Sequence, residues 1–217
     1  MSASVTVYLL DDEPDVTRAL SFMLASVGIA ARSFNAPEEF LDCFRREDGA
    51  ACFILDLRMP GASGIEVLET VNALRPDVPV TFLSAHGDIA IAVRTMKLGA
   101  FDFLQKPFEP QAFLDTVNRM MRTAHQRFAA REEQRRAAEK LTALSPRELE
   151  VMEQMVTGAS SKEIGRILGI SPKTVDVHRT NVLRKLGVSS NRELIRYARE
   201  PAHTPGQHLL HPTKRNV

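Results

Sequence analysis

The sequence predicts an α/β domain with a doubly wound, five-stranded parallel sheet, joined by a helical linker to an all-α domain of four short helices. Three observations carry this. Over residues 1–121, short apolar runs alternate five times with segments of helical period, the pattern of a parallel sheet crossed over by helices. Over residues 143–199 the strand pattern vanishes and four helix-start signals follow one another, at Ser145, Ser160, Ser171 and Ser190. Charge divides with the pattern: residues 1–121 carry 10 Lys/Arg against 17 Asp/Glu, net −7, and residues 122–217 carry 18 against 10, net +8. Opposite signs suggest different partners, and the basic part points to nucleic acid.

The elements follow in order. Val5–Leu10 is a first strand ending in Asp11-Asp12-Glu13, and Pro14 opens a helix that Gly28 stops. A second strand near Ala31–Phe34 precedes Asn35-Ala36-Pro37-Glu38, which predicts a helix capped by Asn35. Cys52-Phe53-Ile54-Leu55 forms a third, wholly apolar strand that breaks at Asp56, and Met59-Pro60 follows. Ser63-Gly64-Ile65-Glu66 is a capping box for a helix to about Leu74. Val78–Leu83 is the fourth strand, ending at Ser84, with a helix near Ile89–Leu98. Phe101–Gln105 is the fifth, ending at Lys106-Pro107, and a last helix starts near Pro110.

Function in such sheets sits at the carboxyl ends of the strands. Those ends bear Asp11, Asp12, Asp56, Ser84 and Lys106. Three carboxylates this close repel one another and are best tolerated around a hard divalent cation such as Mg²⁺. A carboxylate beside that cation, an ammonium and a hydroxyl can receive a phosphoryl group, its oxygens neutralised by cation and Lys106 and bonded by Ser84. Each residue also has a plainer use: Asp11 and Asp12 as caps of the first helix, Ser84 in a turn, Lys106 on the surface, Phe101 and Phe103 in the core. His86 reads as a loop residue bordering the site.

The motifs Leu10-Asp11-Asp12-Glu13, Leu55-Asp56-Leu57-Arg58-Met59-Pro60-Gly61, Leu83-Ser84-Ala85 and Gly99 through Phe108 resemble those of the receiver domain of bacterial two-component response regulators, a flavodoxin-like fold. The resemblance implies phosphorylation of Asp56 by a sensor histidine kinase. It implies Mg²⁺ held by Asp12, Asp56 and the Arg58 carbonyl, with Asp11 acting through water. It also implies switch roles for Ser84 and Phe103, a cis peptide at Lys106-Pro107 and a homodimer on phosphorylation.

Residues 122–142 continue the helical period of Phe113, Val117, Met120, Ala124 and Phe128 into the charged run Arg131–Arg136, without Gly or Pro. This is either a plain linker helix or a seam that pairs two chains. Beyond it, Ser145-Pro146-Arg147-Glu148, Ser160-Ser161-Lys162-Glu163 and Ser190-Asn191-Arg192-Glu193 are capping boxes, and Ser171-Pro172 starts a helix that Gly187 ends. Leu168-Gly169-Ile170-Ser171 is the tight turn of a helix-turn-helix. In the helix after it, Val175, Val182, Leu183 and Leu186 form a core stripe, with Lys173, Asp176, Val177, Thr180 and Arg184 opposite.

Leu144–Val151, Ser161–Ile164 and Ile170–Arg179 resemble LuxR-type DNA-binding domains, and the two domains in this order resemble FixJ/NarL-class transcription regulators. The DNA-contacting set this implies is Lys162, Lys173, Thr174, Asp176, Val177, Arg179, Thr180, Asn181 and Lys185. Within it, Lys173, Arg179 and Lys185 suit phosphates, Asp176 a cytosine amino group or a neighbouring Arg, and Val177 a thymine methyl. Asp176 stands where several relatives carry Lys, so base preference does not transfer from them. RNA polymerase is a further candidate partner.

Cys43 and Cys52 read as core thiols, and no apolar run reaches membrane-spanning length or resembles a secretion signal, so a cytoplasmic protein is expected. No enzyme activity is expected beyond phosphoryl self-transfer and self-dephosphorylation. Haloacid-dehalogenase-like phosphatases also use an Asp after a strand, but want a second acid two residues on, where this chain has Arg58. A receiver serving only as a dimerisation scaffold would not need Asp12, Asp56, Ser84 and Lys106 together. Residues 200–217 show no periodicity and read as a disordered tail.

Overall fold

The computed structural model describes residues 4–61, 63–85 and 89–199, which fall into two compact units dividing between Ala129 and Ala130. His86 and the tail read from 200 to 217 lie outside the described residues.

The first unit contains β1 (Thr6–Leu10), α1 (Pro14–Ser26), β2 (Ala31–Phe34), α2 (Pro37–Arg46), β3 (Ala51–Asp56), α3 (Gly64–Leu74), β4 (Val80–Ser84), α4 (Ile89–Lys97), β5 (Asp102–Gln105) and the start of α5 (Pro110–Thr142). All strand pairs are parallel, in the order β2-β1-β3-β4-β5. Alternate residues of each strand feed opposite faces. Tyr8, Leu10, Phe53, Leu55 and Phe82 join α2 and α3 in one core cluster; Val7, Leu9, Cys52, Ile54 and Leu83 join α1 and α5 in the other. Burial on both faces explains why β3 reads as an unbroken apolar run. It also pushes the Cys52 thiol up to about 12, so this sulfur stays protonated in the core.

One expected cap is corrected. Ala36, not Asn35, is the N-cap of α2, and no side chain caps it. The Asn35 amide instead donates to the Asp11 carbonyl oxygen at 2.7 Å and to Thr17 Oγ1 at 3.3 Å, tying β2 to the β1–α1 loop. The box at Ser63 forms as read.

The division between Ala129 and Ala130 falls within the bounds of α5. The second unit adds α6 (Pro146–Val156), α7 (Ser161–Leu168), α8 (Pro172–Leu186) and α9 (Asn191–Arg199). Both capping boxes at Ser145 and Ser160 form. At α9 the reciprocal arm differs from expectation: Glu193 accepts from Ser189 N and Oγ, while Ser190 Oγ receives the Glu193 amide. α8 packs on α6 and α7, and α9 on α6, around Val151, Met155, Ile164, Val175, Val182, Leu186 and Leu194. Among the described residues no helix is long and apolar enough to cross a membrane.

Candidate functional site

Because β1 and β3 are adjacent and β4 and β5 follow, the chain after each of these strands opens onto one sheet edge. Asp11 is buried, and its Oδ2 lies 2.6 Å from Lys106 Nζ. Asp56, 9% exposed, places Oδ1 2.9 Å from the same nitrogen. Residues 95 and 50 positions apart thus share one ammonium. The backbone holds the rest of the set: the Arg58 amide donates to Asp56 Oδ2 at 2.7 Å, the Glu13 amide to Asp11 Oδ1 at 3.0 Å, and the Lys106 amide to the Ser84 carbonyl at 2.8 Å. Ser84 is buried at the end of β4, in register with Gln105.

Burial pulls the Lys106 pKa down, but hydrogen bonds and charge from Asp11 and Asp56 outweigh that and leave it raised, so the ammonium is retained. The N-cap of α1 is Glu13, with no side-chain cap, so neither Asp11 nor Asp12 is the cap residue, although Asp11 Oδ1 accepts the Glu13 amide. Asp12 is half-buried beside Asp11. Among the described residues no three His, Cys, Asp or Glu side chains gather around one point. Phe103, half-buried on the edge strand β5, packs on the α2–α3 core cluster, whereas Phe101 packs on the other. The Lys106–Pro107 bond is cis.

In the second unit, the core stripe of α8 is buried at Val175, Val182 and Leu186, with Leu183 half-buried. Lys173, Thr174, Asp176, Val177, Thr180 and Arg184 are exposed, Val177 at 57%, and so is Lys162 on α7. An apolar side chain this open, on an otherwise polar helix face, is what a methyl-reading contact needs. Three charged residues of the expected DNA set have partners inside the unit. Asp176 Oδ1 accepts from Ser161 Oγ at 2.6 Å, Arg179 donates to the Ala159 carbonyl at 3.2 Å, and Lys185 bonds Glu148 Oε2 at 2.6 Å and the Ala143 carbonyl at 3.0 Å. Asn181 is half-buried.

Comparison with known proteins agrees with this division. Residues 7–118 match the response regulator receiver domain, and residues 142–198 match the bacterial regulatory proteins of the luxR family. The chain is 37% identical over 196 residues to the transcriptional regulatory protein TdiR of Thauera aromatica, spanning 88% of this chain and 84% of that one. It is 37% identical over 198 residues to the transcriptional regulatory protein FixJ of Azorhizobium caulinodans, spanning 91% and 93%. A low-resolution structure of the response regulator StyR superposes with a TM-score of 0.80 at 39% identity, covering 89% of this chain and 98% of that one. The chain belongs to the two-component response regulators with a LuxR-type DNA-binding domain. It is a transcription regulator of that class, built from a receiver and a helix-turn-helix domain.

Two glycines of this response regulator matter to its sites and escaped the sequence reading. A Cβ on Gly64 would stand 2.5 Å from the Asp56 carbonyl oxygen and 2.9 Å from the Phe82 ring, so only glycine lets α3 start against the backbone of Asp56. A Cβ on Gly165 would stand 2.7 Å from the carbonyl of Ile170, whose amide returns to the Gly165 carbonyl at 3.0 Å. For Gly165 the available signal was a glycine in a helix interior, three residues before the turn that starts at Leu168.

Proposed function

We propose that Asp56 accepts a phosphoryl group from the phosphohistidine of a sensor histidine kinase, and that the modified regulator dimerises and binds promoter DNA through α8. The observation that carries this reading is the shared ammonium: two buried carboxylates converge on Lys106 at the switch point of the sheet. The Arg58 amide and Lys106 orient the Asp56 carboxylate for in-line attack on phosphorus. The new bond is a carboxylate oxygen–phosphorus bond, the bond broken is nitrogen–phosphorus, and the imidazole leaves with the electron pair. Lys106 then follows the incoming negative charge, and the Ser84 hydroxyl donates to a phosphoryl oxygen.

The donor set suits Mg²⁺. Asp11 and Asp56 meet on the single ammonium of Lys106, with Asp12 next to Asp11 in the chain, so the hard carboxylate donors exceed the one positive charge although the three side chains do not close round one point. Asp12, Asp56 and the Arg58 carbonyl would hold the ion, with Asp11 acting through water. When bound, the cation neutralises the phosphoryl oxygens. Movement of Ser84 towards the phosphoryl group opens room for Phe103, altering the face of α4 and β5 and favouring the dimer. On DNA, Lys162, Lys173, Thr174, Val177 and Thr180 contact phosphates and base edges from the exposed face of α7 and α8, and RNA polymerase is the downstream partner.

Labelling with acetyl phosphate tests the proposal. Asp56→Asn should abolish both Mg²⁺-dependent labelling and any donor-dependent rise in mass by light scattering, and Asp12→Ala should nearly abolish labelling. Undiminished labelling of Asp56→Asn, or labelling that ignores Mg²⁺, rules out this assignment.

A further inference from the structure

We propose that Lys140 and Lys185 form a latch that positions the C-terminal end of the recognition helix, and that neither is a DNA-phosphate contact. The inference rests on the reading of α8 as the DNA-contacting helix.

The contacts are reciprocal. Lys185, one residue before the end of α8, sends its ammonium back to the Ala143 carbonyl, in the turn that follows α5, at 3.0 Å. Lys140, in the last turn of α5, sends its ammonium to the Leu186 carbonyl at the end of α8, at 3.1 Å. Each segment donates a lysine to a backbone oxygen at the other's end. Those oxygens belong to helix ends, where carbonyls lack partners inside the helix and carry the negative pole of its dipole, so an ammonium is the fitting partner.

Each lysine also has a second anchor. Lys185 pairs with Glu148 Oε2 at 2.6 Å, and that carboxylate is itself fixed by the Ser145 amide at 2.8 Å. Lys140 Nζ stands 5.7 Å from the centre of the Tyr197 ring on α9. Glu148 is 5% exposed, so its charge cannot be left without Lys185 at low cost. A lysine reaching out to a DNA phosphate would abandon all of this. The exposed residues of α8 lie mostly towards its other end, at Lys173, Thr174, Asp176 and Val177. The latch therefore sets the angle at which that end projects, and with it which bases the helix reaches.

The test uses the full-length chain, a duplex it enriches from a random pool, and an unselected duplex of equal length. Lys185→Met and Lys140→Met should each lower the preference for the selected duplex by about tenfold. Binding to the unselected duplex should stay within twofold of wild type or so, and the slope of log affinity against log salt should not change. Losses from the double variant should be less than the product of the single losses, because both lysines fix one joint. Glu148→Gln is the decisive companion should Lys185→Met melt: it removes the charged partner of Lys185 and leaves the ammonium only the Ala143 carbonyl. A latch then loses preference for the selected duplex, and Lys185→Arg keeps it.

A salt slope shallower by about 0.9 in Lys185→Met, with equal loss on both duplexes, would make Lys185 a phosphate contact and overturn the latch. Tighter binding by Glu148→Gln, or no loss in any variant, overturns it as well. A wild-type chain that enriches no sequence defeats the DNA reading of α8 and the latch together.

Discussion

The two sites handle their charge in opposite ways. In the receiver, residues far apart in sequence bring opposite charges together at a sheet edge, and buried Asp11 and Asp56 share Lys106. In the DNA-binding unit, neighbouring segments carry an excess of one sign, and part of that excess is turned inward: Lys185 to Glu148, Arg179 to the Ala159 carbonyl, Lys140 to the Leu186 carbonyl. The receiver thus depends on topology to assemble a charged cluster, while the helical unit depends on side-chain tethers to hold a helix. The difference teaches that a residue's charge is a poor guide to its role where the surrounding elements are short. There a long side chain can reach a neighbouring helix end as easily as a ligand.

The sharpest way to break that comparison is to crowd the backbone beneath each site. Gly64→Ala puts a methyl group 2.5 Å from the Asp56 carbonyl, and Gly165→Ala puts one 2.7 Å from the Ile170 carbonyl. In both the obstacle is backbone, so the element itself must move, at a cost of about 1–3 kcal/mol as for other overpacked positions. If the two sites are independently built, Gly64→Ala should depress acetyl phosphate labelling with DNA binding by the unphosphorylated protein intact. Gly165→Ala should do the reverse. Two melting transitions, only one displaced in each variant, would accompany this; a single shared loss of both activities would show that the division is false.

A smaller effect separates reading from tethering on α8 itself. Val177 is an apolar side chain 57% exposed on a polar helix face, whereas Asp176 is bonded to Ser161. Val177→Ala should therefore relax preference at one A·T position by about 1–3 kcal/mol. Asp176→Ala should blur several positions at once, because the α7–α8 contact goes with it, and Asp176→Asn should retain most of the preference. Site selection with each variant decides; a change confined to one position for Asp176→Ala would return it to direct base contact.

Much of this arrangement was legible in the sequence, for identifiable reasons. β1 and β3 are buried on both faces and run without a charged residue up to Asp11 and Asp56, and the regular alternation of strands and helices set Ser84 and Lys106 on the same edge before any contact was known. The helix starts at Ser63, Ser145 and Ser160 are local hydrogen-bond patterns and need no tertiary knowledge. What stayed hidden depends on a second element. Asn35 had a local use as a cap and took a non-local one, bridging to the Asp11 carbonyl. Gly64 and Gly165 are defined by carbonyls of segments that pack against them. Lys185 lay on the solvent side of a helical wheel, yet its ammonium is drawn to a carboxylate on α6.

The smallest expected effect, an acid titration, sharpens the same contrast. Hydrogen bonding to Lys185, then to the Ser145 amide, holds the Glu148 carboxyl down at about 2, against an ordinary value of 4.5. A carboxyl whose folded value is depressed contributes stability that is fully present above its unfolded value and is lost as pH falls through the folded one. The contribution of this group should therefore be constant above pH 4.5 and decline from there towards pH 2. Other carboxylates titrate over the same range, so the quantity to follow is the difference in melting temperature of the DNA-binding unit between wild type and Glu148→Gln. That difference should favour wild type near neutrality and shrink as pH drops through the window. A gap that stays constant down to pH 2 would mean that Glu148 keeps no special hold on Lys185, and that the recognition helix is aimed by packing alone.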